Sequence, residues 1–317
     1  MMDEGTGDYQ YEEEDQYSEA AIEKSCRAGR VAAQALRYGR DMVKPGVSIL
    51  ETVEKVENLI LEKGLKVAFP VNIAINNIAA HFTPRHDDGP LVFEQGQVVK
   101  IDVGAHLDGY IADTALTVEV GTRNWGELIE ASREGLTMAI EMMRPGVDLS
   151  KIGEKVQETI GARGFKPISN LTGHSLERFR LHAGLSIPNI KEKMKGDVKT
   201  GARIAIEPFA TNGSGRVDGR RPSNIYRFLQ KKSFITKPEL RKLERHIIDN
   251  FGRLPFAERW CTKVVDDPQY PLKKLVRAGV VSSYPILQEM EDDAMISQAE
   301  HTVLITDDGC EIITDLK

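Results

Sequence analysis

The chain has 317 residues, 41% of them hydrophobic and 28% charged, which suits a soluble globular protein with one large domain or two ordinary ones. No apolar run nears the ~20 residues of a membrane span, no signal segment opens the chain, and Cys26, Cys261 and Cys310 are too few and too scattered for a disulfide framework or a metal knuckle, so a cytoplasmic protein is expected. The net charge of −6 is concentrated in residues 1–20, which hold eight acids and no Lys or Arg and leave +2 for the remainder, a balance that gives specific nucleic-acid binding no support.

Residues 1–17, with few aliphatics and an acid run over residues 12–15, read as a disordered acidic tail. Residues 18–317 read as one domain containing an internal duplication. Met42-Val-Lys-Pro-Gly-Val47 recurs as Met143-Arg-Pro-Gly-Val147, Glu54-Lys-Val56 as Glu154-Lys-Val156, and Gly64-Leu-Lys66 as Gly164-Phe-Lys166, at an offset of one hundred residues. Each copy predicts a helix rich in small residues (18–42 and 125–143), a Pro-Gly stop, a second helix closed by glycine, and an extended segment bearing histidine. Those segments are 69–83, with His81, and 168–184, with His174 and His182. Each copy ends in a strand bearing an acid, Ile101-Asp102-Val103 and Ile204-Ala-Ile-Glu207. Two such halves make an α+β domain with a pseudo-twofold axis and a cleft between them.

Within the first half, residues 98–118 read as a β-hairpin. A four-residue loop over 106–109 places Asp102 directly opposite Asp113, with Cβ atoms roughly 4.5–5.5 Å apart. Like charges so placed repel, and a bound cation relieves them. Two solvated aspartates on an exposed face are the plainer alternative, but the flanking Val98, Val99, Ile101, Val103, Ile111 and Ala112 belong to a buried sheet. Residues 213–285 read as a helical insertion, with helices at 225–231, 237–250, 256–261 and 272–278. Pro238 sits in the first turn of the second helix, with Thr236 as its N-cap. The helical run followed by the strand pattern over 280–287 gives this lobe a faint winged-helix look, but a plain surface lobe shaping the cleft is the favoured reading. Strands over 300–305 and 311–314 close the chain.

Asp102, Asp113, His174, His182, Glu207 and Glu300 all fall within apolar runs. Carboxylates are rarely buried unless paired or metal-bound, and this set suits two divalent ions of the Mn, Fe, Co or Zn type. For any single acid a buried ion pair is the competing explanation.

Six ordered blocks carry a family resemblance: Phe69-Pro-Val-Asn-Ile-Ala-Ile-Asn-Asn-Ile-Ala-Ala-His81-Phe-Thr-Pro84, Lys100-Ile-Asp102-Val-Gly, Ile111-Ala-Asp113, Gly173-His174-Ser175 through His182-Ala-Gly184, Ala205-Ile-Glu207-Pro-Phe209, and Gln298-Ala-Glu300-His-Thr302. From about residue 18 onward the chain resembles the type 2 methionine aminopeptidases in their shorter archaeal form. The resemblance implies the pseudo-twofold pita-bread fold, with a helical insertion before the last strands. It implies that Asp102, Asp113 and Glu300 hold one metal and that Asp113 and Glu300 bridge to a second, held also by His174 and Glu207. Glu207 is then the general base, His81 lies near the substrate's first peptide nitrogen and α-amine, and His182 donates to the scissile carbonyl. Phe69, Asn77 and Tyr284 line the methionine pocket. The implied substrates are N termini of nascent polypeptides with a small second residue, which brings transient ribosome association with it.

Two features depart from the family pattern: Ala299 stands where a larger apolar residue is usual, and residues 291–293 are acidic where glycine is common. A prolidase or aminopeptidase P shares fold and ligands but carries a substantial preceding domain, where only about twenty residues are seen here. An inactive paralogue binding RNA or ribosomal partners predicts eroded ligands, and all five are intact. His86, His106 and His246 are expected on the surface or in loops, and His301 behind the site, because strand alternation turns it away from Glu300.

Overall fold

The computed structural model describes residues 16–232 and 235–315; most of the acidic tail lies outside them. The first half runs α1 (Glu19–Met42), α2 (Ile49–Glu62), β1 (Lys66–Ile75), β2 (Ile78–Ala80), β3 (Val98–Leu107) and β4 (Tyr110–Glu119). The second runs α3 (Gly126–Met142), α4 (Leu149–Ala162), β5 (Lys166–Pro167), β6 (Thr172–Leu176), β7 (Ser186–Pro188), β8 (Arg203–Ile206) and β9 (Phe209–Thr211). The duplication therefore survives in three dimensions. Ser48 caps α2 and Asp148 caps α4, each side-chain oxygen accepting a free backbone N–H of the first turn. Gly64 and Gly164 end these helices at φ of 76° and 81°, where a left-handed residue stops the helix and glycine has no Cβ to clash.

Each half has its own core. Val31, Leu36, Val53, Val56 and Ile60 of α1 and α2 pack on Val71, Ile73, Val99, Ile101 and Val103. Leu128, Leu136, Ile152, Val156 and Ile160 of α3 and α4 pack on Ile187, Ile204, Ile206 and Val303. Helices thus cover one face of each half's strands and leave the other for the cleft.

The chain continues through β10 (Val217–Phe228), α5 (Pro238–Phe251), β11 (Phe256–Ala257), a 3₁₀ helix (Glu258–Lys263), α6 (Gln269–Arg277), β12 (Val281–Glu289), β13 (Ile296–Gln298), β14 (His301–Ile305) and β15 (Cys310–Ile312). The sheets are β1-β3-β4, β11-β10-β12-β2, β13-β9-β5 and β15-β14-β8-β6-β7. The halves meet where Ala115 and Glu300 exchange backbone hydrogen bonds and Thr302 Oγ1 bonds both N–H and C=O of Asp113.

Three expectations for the insertion are corrected. Residues 225–228 are the end of strand β10 rather than a helix, because Ile-Tyr-Arg-Phe alternates at strand period and pairs with β12. Residues 256–261 form β11 and part of the 3₁₀ helix. Lys237, not Thr236, is the N-cap of α5, with no side-chain cap bond; Pro238 does occupy the first turn. The lobe has its own core around Tyr226, Leu243, Ile247, Phe256, Leu272 and Leu275. Its seam with the first half holds a buried ion pair between Arg259 and Glu57 of α2, and Glu57 also accepts from Trp260 Nε1 at 2.9 Å.

Candidate metal centre and its cleft

The β3–β4 ladder pairs Leu107 with Tyr110, Gly104 with Asp113 and Asp102 with Ala115. The turn is therefore Asp108-Gly109 alone, with φ of 52° and 91°. Asp-Gly favours this tight turn because both central residues need positive φ. The expected four-residue loop and the direct Asp102–Asp113 pairing are thus corrected: the register moves by two. A shift of two keeps both aspartates on the same face and makes them diagonal neighbours.

The row across that face reads Asn72 on β1, Asp102 on β3, Ala115 on β4, then Glu300 between β13 and β14. Small residues sit where bulk would fill the cleft: Ala115 separates Asp102 from Glu300, and a Cβ on Gly104 would lie 2.2 Å from the Phe69 ring. From the other half, His174 on β6 pairs with Ala205 of β8, and Glu207 follows the end of β8. His174 Nε2 lies 3.7 Å from Asp113 Oδ2 and 3.6 Å from Glu207 Oε1. Asp113, His174 and Glu300 bring one ligand atom each within 4.8 Å of one another.

These groups, with Asp102, His81, His182, Phe69 and Tyr284, line one cavity of about 240 Å³. Asn77 does not line it. Its amide donates to the Asp292 carbonyl at 3.0 Å, at the surface, because the β1–β2 turn carries it to the tip. Two polar residues unforeseen from the sequence join the cleft. Asn72 lines it with a buried, unpartnered Oδ1. Gln298 Nε2 donates to Glu300 Oε2 at 3.2 Å and reaches Glu207 Oε2 at 3.4 Å. Position two residues before Glu300 on the same strand face was the available signal for Gln298.

The electrostatics point to missing positive charge. Burial pushes Asp102 up to about 7. Asp113, Glu207 and Glu300 are held well above the carboxylate range, first by burial and then by neighbouring carboxylates, Asp102 foremost for Asp113 and Glu207 and Asp113 for Glu300. Asp102 Oδ1 and Asp113 Oδ1 are buried with no hydrogen-bond partner. Burial, and then the neighbouring His182, brings His174 down to about 3, so its imidazole is neutral and able to ligate. Four carboxylates, two of them with an orphaned oxygen, beside a neutral imidazole fit divalent cations.

His81 adopts φ 65°, an uncommon backbone for a residue with a side chain, and its Nδ1 lies 3.0 Å from the Pro285 carbonyl oxygen. A carbonyl only accepts, so Nδ1 carries the proton and Nε2 keeps its lone pair. His182 stacks at a tilt on His174, centroids 4.3 Å apart, and is pulled down to about 4 by burial and then by His81 and Arg227. His106, expected at the surface or in a loop, is buried at 5% exposure, and its Nδ1 accepts from Gly109 N at 3.1 Å across the turn. His301 faces away from the cleft, as expected, with Nδ1 2.9 Å from Thr314 Oγ1.

Residues 23–307 match the model of metallopeptidase family M24. A methionine aminopeptidase of Methanocaldococcus jannaschii is 45% identical over 92% of this chain and 98% of its own length. Among solved structures, a thermophilic Arx1 superposes with TM-score 0.81 at 20% identity, covering 95% of this chain and 92% of that one. A methionine aminopeptidase from Thermotoga maritima gives 0.66 at 26% identity, covering 94% and 98%.

Proposed function

The chain belongs to metallopeptidase family M24, among its methionine aminopeptidases, and from that premise we propose that the cleft releases the N-terminal methionine from peptides with a small second residue. The observation that carries the reading is the set of four carboxylates, Asp113 and Glu300 buried and Asp102 and Glu207 half-buried, and a neutral histidine around one small cavity. Asp102, Asp113, His174, Glu207 and Glu300 would hold two divalent ions, of Co, Mn, Fe or Zn type. Such ions, when bound, supply a Lewis acid for the scissile carbonyl and an acidified water.

The chain's own groups do the rest. Glu207, whose carboxylate faces the cleft beside His174, takes the proton from the attacking water and passes it to the departing amine. His81 Nε2, left with its lone pair by the Nδ1 bond to Pro285, accepts from the substrate's first peptide N–H. His182 donates to the carbonyl oxygen as negative charge develops there, a contact worth several kcal/mol when the donor is prepositioned. Phe69 and Tyr284, with Phe209 and Leu287 beside them, offer an apolar wall to an unbranched methionine side chain. Nascent chains are the natural source of such N termini, which places the enzyme in the cytoplasm and in transient contact with ribosomes.

The test is methionine release from Met-Ala-Ser by chelator-stripped protein, with Mn, Co, Fe or Zn added back, beside an X-Pro peptide and Glu207→Ala. Metal-restored release, absent on X-Pro and in the variant, is expected. A folded protein inactive with every metal would overturn the reading in favour of a binding role, and cleavage of the X-Pro peptide would move it to a proline-specific enzyme.

A further inference from the structure

β10 passes from the cleft to the solvent along the mouth. Strand alternation decides what it shows there. Ile225 lines the cleft, Tyr226 turns into the lobe core, and Arg227 returns to the cleft side, nearer solvent and exposed. The ladder sets Arg227 opposite Ser282, so Tyr284, two residues along β12, shares the same face. Side chains agree with the register: Arg227 Nε donates to Ser282 Oγ at 3.1 Å, and its Cζ lies 5.8 Å from the Tyr284 ring centroid. Tyr284 in turn meets His81 edge-on at 5.1 Å. The guanidinium is thus fixed by two neighbours at a rim built from Tyr284 and His182.

Its surroundings leave its charge unspent. Among the described residues no carboxylate pairs with Arg227, and the cavity lining contains acids but neither Lys nor Arg. A peptide whose free amine and first carbonyl sit at the buried carboxylates must leave the cleft past this rim. We propose that Arg227 is a specificity-determining residue that pairs with a carboxylate carried by the peptide beyond its second residue. The inference rests on the aminopeptidase reading and adds to it a preference for acidic chains. That carboxylate is supplied either by an Asp or Glu side chain or by the C terminus of a short peptide.

The experiment compares kcat/KM for Met-Ala-Asp-Ser-amide, Met-Ala-Lys-Ser-amide, and Met-Ala-Ser as free acid and as amide, with the metal-loaded enzyme. An exposed ion pair at a rim is worth about fivefold at most, so the Asp peptide should exceed the Lys peptide by roughly that factor, mainly in KM and less at high salt. Arg227→Met should bring the ratio to about one, and Arg227→Glu should invert it. A free-acid tripeptide preferred over its amide only when Arg227 is present identifies the terminal carboxylate as a second source of the same contact. An arginine that merely props Tyr284 would lower all four rates alike and leave the ratios unchanged, and that result would overturn the proposal alone. A wild-type enzyme inactive on every peptide would defeat the aminopeptidase reading together with it.

Discussion

In the first half, β3 and β4 run ten residues each in an unbroken ladder from the Asp108-Gly109 turn; in the second, β6, β8 and β9 span five, four and three residues with loops between them. The helices above them match far better: α2 and α4 both have fourteen residues, offset by one hundred, with Val56 and Val156, Ile60 and Ile160 all buried. Helix burial in each copy needs only an apolar stripe, which a duplicated sequence keeps. Ligand placement needs specific atoms, which the copies supply differently: two aspartates from one regular hairpin in the first, and in the second a histidine on one short strand, a glutamate just past another and Glu300 between two more. The cleft joins unlike contributions from a like scaffold.

The sharpest way to break this comparison is to remove one donor from each half. Glu207→Gln should cost about 10²–10⁴ in kcat, the usual range for a positioned general base, and Asp113→Asn should cost a comparable factor. Metal add-back to stripped wild-type protein should raise stability, by about 2.7 kcal/mol at a hundredfold excess over Kd, and each variant should show a smaller gain in thermal scans. Full metal stabilisation in one variant but not the other would mean that one half holds the ions by itself.

A second test imports a residue from one copy into the other. Val53 is fully buried in α2, and its counterpart in α4 is Gly153, where an added Cβ would come 2.0 Å from the Ile190 carbonyl oxygen. Gly153→Val forces the backbone of the 188–190 segment away and should cost about 3 kcal/mol, the upper part of the range for overpacking, read as a lower urea midpoint. A cost under about 0.5 kcal/mol, that of an ordinary surface change, would mean that α4 has room for the valine that α2 carries and that the two helices are seated equivalently.

What the sequence revealed follows the same division. The duplication, the helix ends and the hairpin were legible because periodicity, capping residues and Asp-Gly act locally. The residue types that gather at the cleft were legible because acids inside apolar runs need a reason to be there. The hairpin register was misread by two because loop length, not composition, sets it, and the strength of Asp-Gly as a tight turn was underweighted. Ile225 to Phe228 was misread as helix because a short apolar run has no decisive period. Asn77 was misplaced because the turn at Asn76, with φ 53°, carries it to the surface, and Asn72 was overlooked because the β1 register shifts between Phe69 and Asn72, which turns both toward the cleft.

The hairpin has no equivalent in the second half, and one titration isolates it. Burial, with Lys66 adding to it, holds His106 down to about 4, while Asp108 pulls weakly the other way. A depressed histidine means that the unfolded chain binds the proton more readily. Its contribution is therefore intact above the unfolded value near 6.5 and is lost as pH falls from there toward 4. The full loss is at most about 3 kcal/mol. His106→Gln should flatten the fall between pH 6.5 and 4 relative to wild type, the other acids titrating alike in both proteins. Parallel stability curves for the two would show that the turn does not depend on a neutral imidazole.

The smallest expected effect asks whether the scaffold is truly shared. Gly64 and Gly164 both take positive φ, and both have open space where a Cβ would go. Alanine at either position is opposed by the backbone angle alone, about 1–2 kcal/mol for a left-handed residue. That penalty is local and should not depend on which half surrounds it. Gly64→Ala and Gly164→Ala should therefore destabilise equally, within about 0.5 kcal/mol, and the double variant should give their sum. Gly153→Val probes packing, which the copies do not share, whereas this pair probes backbone geometry, which they do. A clear excess at Gly164 would show that the second half tolerates less strain even where no neighbour is touched, and the contrast between the halves would then extend from their strands into the helix ends.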